Sequence, residues 1–84
     1  MIADAIVPAL DEGPSIGRVV RSIPRPPIRQ VIVIDNGSTD HTASEARAAG
    51  ATVVAEPRRG YGSACLAGIR TLPEDTEIVL FLDA

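Results

Sequence analysis

Residues 31–42 read VIVIDNGSTDHT. Four consecutive β-branched residues without polar alternation mark a strand covered on both faces, as in a parallel sheet between two helix layers. The run stops at Asp35 and gives way to turn chemistry. Asn36 and Gly37 shape the turn, and Ser38, Thr39 or Asp40 is placed to cap a helix through EARAAG that closes at Gly50.

Working outward from this stretch, the same pattern repeats on both sides. AIVPAL at 5–10 is a short apolar strand ended by proline, acidic and glycine residues. Ser15 is a candidate cap for a helix in which Ile16, Val19, Val20 and Ile23 recur at helical spacing, with Arg18 and Arg21 outward, until Pro24, Pro26 and Pro27 end it. ATVVA at 51–55 is a third strand. The loop EPRRGYGS leads into a helix through ACLAGIRTL, which Pro73 stops, and EIVLFL at 77–82 is a fourth strand running into Asp83.

The order β-α-β-α-β-α-β, with connections long enough for right-handed crossovers, predicts an α/β fold: one half of a doubly wound parallel sheet with helices on both faces. Such sheets grow one way from the first strand and then return to its other side, so the expected order is 3-2-1-4. The ligand crevice then lies at the carboxyl ends of strands one and four, flanked by strand two. Pro8 to Leu10, Asp35 and Asp83 stand there, which gathers two carboxylates at one crevice.

Composition narrows the function classes. With 84 residues the chain is at most one small domain, and at 45% hydrophobic but 2% aromatic its core is built from Val, Ile, Leu and Ala. A net charge of -3 with dispersed arginines leaves no footprint for nucleic acid. The single Cys65 rules out an intramolecular disulfide and has no companion at zinc spacing, which fits a reducing compartment. No stretch approaches the roughly 18 apolar residues of a membrane span. Gly60 and Gly62 begin a dinucleotide fingerprint, but its third glycine position is Cys65 and the loop follows strand three rather than strand one, so a dehydrogenase is rejected.

IVPALDE, VIVIDNGSTDHT, the RRGYGSA loop and IVLFLDA, in this order and register, resemble family 2 glycosyltransferases of the GT-A fold over nearly the whole chain. The resemblance implies the Rossmann-like, nucleotide-binding half of that fold. Pro8, Ala9, Leu10 and Glu12 match the segment that lies along the nucleotide, with Asp11 in place of the usual Asn and so without its amide donor. Asp35 matches the acidic residue that accepts hydrogen bonds from the base. Arg59, Gly60 and Gly62 fall in the loop near the donor diphosphate, where backbone amides and a helix end attract anions. His41 replaces a common Gly and is read as a surface residue.

Asp83 resembles the first carboxylate of the family's D-x-D motif, which holds Mg²⁺ or Mn²⁺ against the phosphates. The chain stops at Ala84, so the second Asp and the general base are expected further on. These 84 residues alone are then expected not to catalyse transfer, and to fold only marginally. The implied partners are a UDP-sugar or GDP-sugar donor and an acceptor glycan or polyprenyl phosphate. The implied location is the cytoplasm, or the cytoplasmic face of a membrane reached through a missing C-terminal part.

Two other readings remain. One is a non-catalytic nucleotide-binding or interaction module from a truncated or split gene. The other, a sugar nucleotidyltransferase, calls for a basic Gly-rich loop after strand one, where this chain has the acidic DEGPS.

Overall fold

The computed structural model describes all residues, 1–84. Seven elements succeed one another along the chain: β1 (Ala3–Ala9), α1 (Gly13–Ser22), β2 (Ile28–Asp35), α2 (Thr42–Ala48), β3 (Thr52–Ala55), α3 (Tyr61–Arg70) and β4 (Ile78–Phe81). The four strands form one parallel sheet in the order β3-β2-β1-β4, as the sequence predicts. No helix is long and apolar enough to cross a membrane.

Side chains alternate across the strands, so each strand serves two cores. Ala3, Ala5, Val7 and Ala9 of β1 and Val31 and Val33 of β2 face α1 and α2, where Ile16, Val20 and Ala46 close the layer. Ile6, Ile32 and Ile34 face the other way, onto Ala64 and Ala67 of α3. Gly68 lets α3 approach closely, because a Cβ there would lie 2.5 Å from Cγ2 of Ile6.

Asp4, just before the predicted first strand, is a buried carboxylate inside β1. It accepts hydrogen bonds from Nε and Nη2 of Arg29 on β2, at 3.1 and 2.7 Å, and from the Thr76 hydroxyl at 2.6 Å. Arg29 also donates to both oxygens of Asp75, at 2.9 and 3.0 Å. The pair with Arg29 holds the Asp4 carboxyl below its ordinary range despite burial. This network ties the start of β4 to the centre of the sheet, at the end away from the crevice.

Three local expectations are corrected. Ser15 does not cap α1: the N-cap is Glu12, and the Ser15 hydroxyl lies within the helix, donating back to Glu12 Oε2 at 3.1 Å. Neither Ser38 nor Thr39 caps α2; Asp40 receives the Thr42 amide at 2.9 Å from just outside the helix, whose N-cap is His41. Helix α3 begins at Tyr61, ahead of the predicted Ala64, because Gly60 at φ 127° turns the chain directly into it. Gly62 therefore lies in the first helical turn, and Cys65 is a half-buried residue of the helix interior.

Candidate functional site

At the carboxyl ends of the strands the first two loops are stitched together. Asp11 donates its amide to the Ser38 hydroxyl at 2.9 Å, and its Oδ1 accepts the Thr39 amide at 2.8 Å. The Glu12 amide donates to Oγ1 of Thr42 at 2.9 Å, and the Gly13 amide to Oδ2 of Asp40 at 3.0 Å. Asp40 is thereby held below the usual carboxylate range, first by the Thr42 hydroxyl and then by the Gly13 and Thr42 amides. The side chains of Ser38, Asp40 and Thr42 thus hold backbone amides, while Thr39 is held by Asp11.

Asp35 is the last paired residue of β2, between Ala9 of β1 and Ala55 of β3. It is half-buried, and its Oδ1 accepts the Ser38 amide at 3.0 Å. This fixes the carboxylate and leaves Oδ2 without a protein donor.

A cleft of about 240 Å³ opens beside the end of β1, lined by Pro8, Ala9, Leu10, Asn36, Gly60, Tyr61 and Ala64. Helix geometry leaves the Tyr61, Gly62 and Ser63 amides without intrahelical acceptors at its edge. A Cβ at Gly62 would meet nothing within 4 Å, so the space beside this turn is open. Asp83 lies two residues past the Ile6–Phe81 pair, exposed at the end of β4. It stands near Tyr61, whose phenol is pushed above its ordinary value by the Cys65 thiol first and by Asp83 least.

The structure thus gathers Pro8, Ala9, Leu10 and Gly60 at one cleft, with Gly62 on its helical edge and Asp35 and Asp83 at neighbouring strand ends. Two candidate residues point elsewhere. Glu12 faces its own helix through Ser15. Arg59 lies across the β2 turn, donating from Nη2 to the Gly37 carbonyl at 3.3 Å. Sequence reasoning assigns Asn36 only a turn; it is a buried cleft residue bonded to the segment before α3.

A hard divalent cation takes oxygen ligands, and Mg²⁺ is commonly held by one or two carboxylates together with substrate phosphates. No group of three His, Cys, Asp or Glu side chains is placed to hold a metal unaided. The residues present therefore fit a cation as one carboxylate contributor, Asp83, beside a diphosphate.

The model of glycosyl transferase family 2 matches residues 4–84. An uncharacterized glycosyltransferase of Mycobacterium tuberculosis is 45% identical over 87 residues, covering 100% of this chain and 38% of its own length. Glucosyl-3-phosphoglycerate synthase of Mycolicibacterium paratuberculosis is 38% identical over 90 residues, covering 94% of this chain and 27% of its own. The crystal structure of glucosyl-3-phosphoglycerate synthase from Mycobacterium tuberculosis with Mn²⁺, UDP-glucose and phosphoglyceric acid superposes with a TM-score of 0.85 at 33% identity. The match covers 98% of this chain and 32% of that one, so the chain spans about a third of the length of these three relatives.

Proposed function

The chain belongs to glycosyl transferase family 2, with the Rossmann-like half of the GT-A fold, and from that premise we propose that it binds the nucleotide-sugar donor. The transferase it belongs to then moves a sugar from a UDP- or GDP-sugar to an acceptor hydroxyl or a polyprenyl phosphate. The observation that carries this reading is the cleft between Pro8–Leu10 and the first turn of α3, flanked by Asp35 and Asp83.

In this reading Asp35 accepts hydrogen bonds from the base through Oδ2, and Pro8, Ala9 and Leu10 line the nucleoside. The open Gly62 turn admits the diphosphate, where free amides and a positive helix end favour negative charge. Arg59, on the rim, adds positive charge from its place over Gly37. Glu12 supports the site as the N-cap of α1, a position behind the loop. Asp83 would share a Mg²⁺ or Mn²⁺ ion with the phosphates, and that ion supplies charge neutralisation for the leaving nucleoside diphosphate. The related synthase holds Mn²⁺ and UDP-glucose, which favours uracil as the first base to try. We place the enzyme in the cytoplasm or at the cytoplasmic face of a membrane.

In this reading Asp35 is engaged by the base and Asp83 by the metal, and no residue lining the cleft carries a further carboxylate to deprotonate an acceptor. The 84 residues alone are therefore proposed to bind donor without transferring sugar. The test is an amide NMR titration of the chain with UDP and then GDP in the presence of Mn²⁺. Shifts concentrated at Asp35, Gly60 to Ser63 and Asp83 for one nucleotide support the reading. A folded chain indifferent to both nucleotides overturns it.

A further inference from the structure

Asn36 is 5% exposed, and all three hydrogen bonds of its side chain reach one short stretch of backbone. Its Nδ2 donates to the Glu56 and Arg58 carbonyls, each at 2.9 Å, and its Oδ1 accepts the Gly60 amide at 3.0 Å. A side-chain amide can donate twice and accept as well; a carboxylate cannot donate at all. The rest of the segment is loosely held. Arg58, Arg59 and Gly60 are exposed, and its other ties to the body are the Glu56 amide on the Asp35 carbonyl and the long Arg59 bond to Gly37.

Gly60 is the N-cap of α3, so whatever holds its amide sets the direction from which the helix starts. We infer that Asn36 is a positioning residue for the diphosphate. It holds residues 56–60 so that the Tyr61, Gly62 and Ser63 amides meet the phosphates, while both of its own amide protons stay on protein carbonyls. This inference rests on the donor-site reading. It also divides the site. Asp35, next in sequence, is fixed by strand pairing and by the Ser38 amide, with no help from the Asn36 side chain. The nucleoside end should therefore not depend on Asn36, whereas the phosphate end should.

The experiment measures uridine and UDP affinity, with Mn²⁺, for the unaltered chain, Asn36→Asp and Asn36→Ala, with guanosine and GDP as the parallel pair. Asn36→Asp keeps the shape and sets a carboxylate against two carbonyls; Asn36→Ala removes all three bonds. The expected result is about a tenfold loss for the diphosphate, the scale of one charge-assisted hydrogen bond, with the nucleoside changed by less than about twofold. Equal weakening of nucleoside and diphosphate, no change in either, or loss of amide dispersion in both variants overturns the inference and makes Asn36 a folding residue. If the unaltered chain shows no preference for UDP over uridine or for GDP over guanosine, the donor-site reading fails first.

Discussion

On the α1/α2 face of the sheet eleven buried apolar residues close one core, whereas on the α3 face five do, two of them alanines. The α3 side also leaves Leu66 and Ile69 of the helix and Phe81 of β4 substantially exposed. Apolar burial stabilises in proportion to area, so the first face is held mainly by its core. The second is held by close backbone approach at Gly68 and by polar ties at its two ends: Asn36 above, and Asp4 with Arg29, Asp75 and Thr76 below. The crevice lies on the seam. Its Asp35 side belongs to the packed half, and its Tyr61 and Asp83 side to the half that depends on a few hydrogen bonds.

The largest effect is expected from breaking the lower tie. Asp4→Ala should cost about 3 kcal/mol, near the low end for a disrupted buried ion pair because Arg29 keeps Asp75 and some solvent. Hydrogen exchange should show β4 losing protection before β1 and β2; uniform loss would mean that the α3 face has no separate weakness. The pH dependence has a definite sign. A carboxyl whose folded value is depressed contributes stability above its unfolded value, and loses it as pH falls through the folded one. Acid destabilisation from Asp4 should therefore begin below its ordinary value of 3.8, and Asp4→Asn should flatten the profile there.

Next comes the close approach. Gly68→Ala gains roughly 1 kcal/mol of helix propensity but puts a methyl 2.5 Å from Cγ2 and 2.9 Å from Cδ1 of Ile6. Ile6 is β-branched and fully buried, so it has little room to rotate away. Overpacking costs about 1–3 kcal/mol, and a 2.5 Å approach to a fully buried side chain puts the cost near the top of that range, so the clash should win by about 2 kcal/mol in chemical denaturation. The sign should reverse in an Ile6→Ala background. If Gly68→Ala remains destabilising there, the spacing of α3 is set by something other than Ile6.

The range of each interaction decides how much of the molecule is legible in its sequence. The strand order and the two-faced strands come from local apolar runs, and Pro8 to Leu10, Asp35 and Asp83 fall at the strand ends where topology puts them. The role of Asp4 is not legible because its partners lie 25 and 72 residues away, and an acid beside an apolar run looks like a strand boundary. Asn36 looks like turn chemistry for the same reason, since its partners lie 20 to 24 residues on. Ser15, Ser38 and Thr39 fit the pattern of caps, but Ser15 lies within α1, Ser38 and Thr39 are engaged by Asp11 once the two loops meet, and Asp40 receives the Thr42 amide. The early start of α3 depends on the backbone angle of Gly60, which a Gly-rich loop permits without dictating.

The smallest effect should come from cutting a tie on the packed face. Thr42 is fully buried, accepts the Glu12 amide on its hydroxyl and donates that hydroxyl to Asp40. Thr42→Val keeps the shape and β-branching while removing both bonds, which leaves the half-buried Glu12 amide without its acceptor. Asp40 is exposed and keeps the Gly13 and Thr42 amides, so water largely makes up its lost bond, and the orphaned Glu12 amide sets the cost at about 1 kcal/mol. Because the eleven-residue core still holds α1 and α2 against the sheet, the change should be local: faster exchange at Glu12 and Gly13, with β1 and β2 protected as before. A global loss as large as that of Asp4→Ala would erase the contrast between the faces, and it would mean that the interlocked loops, rather than the apolar layer, hold the packed half together.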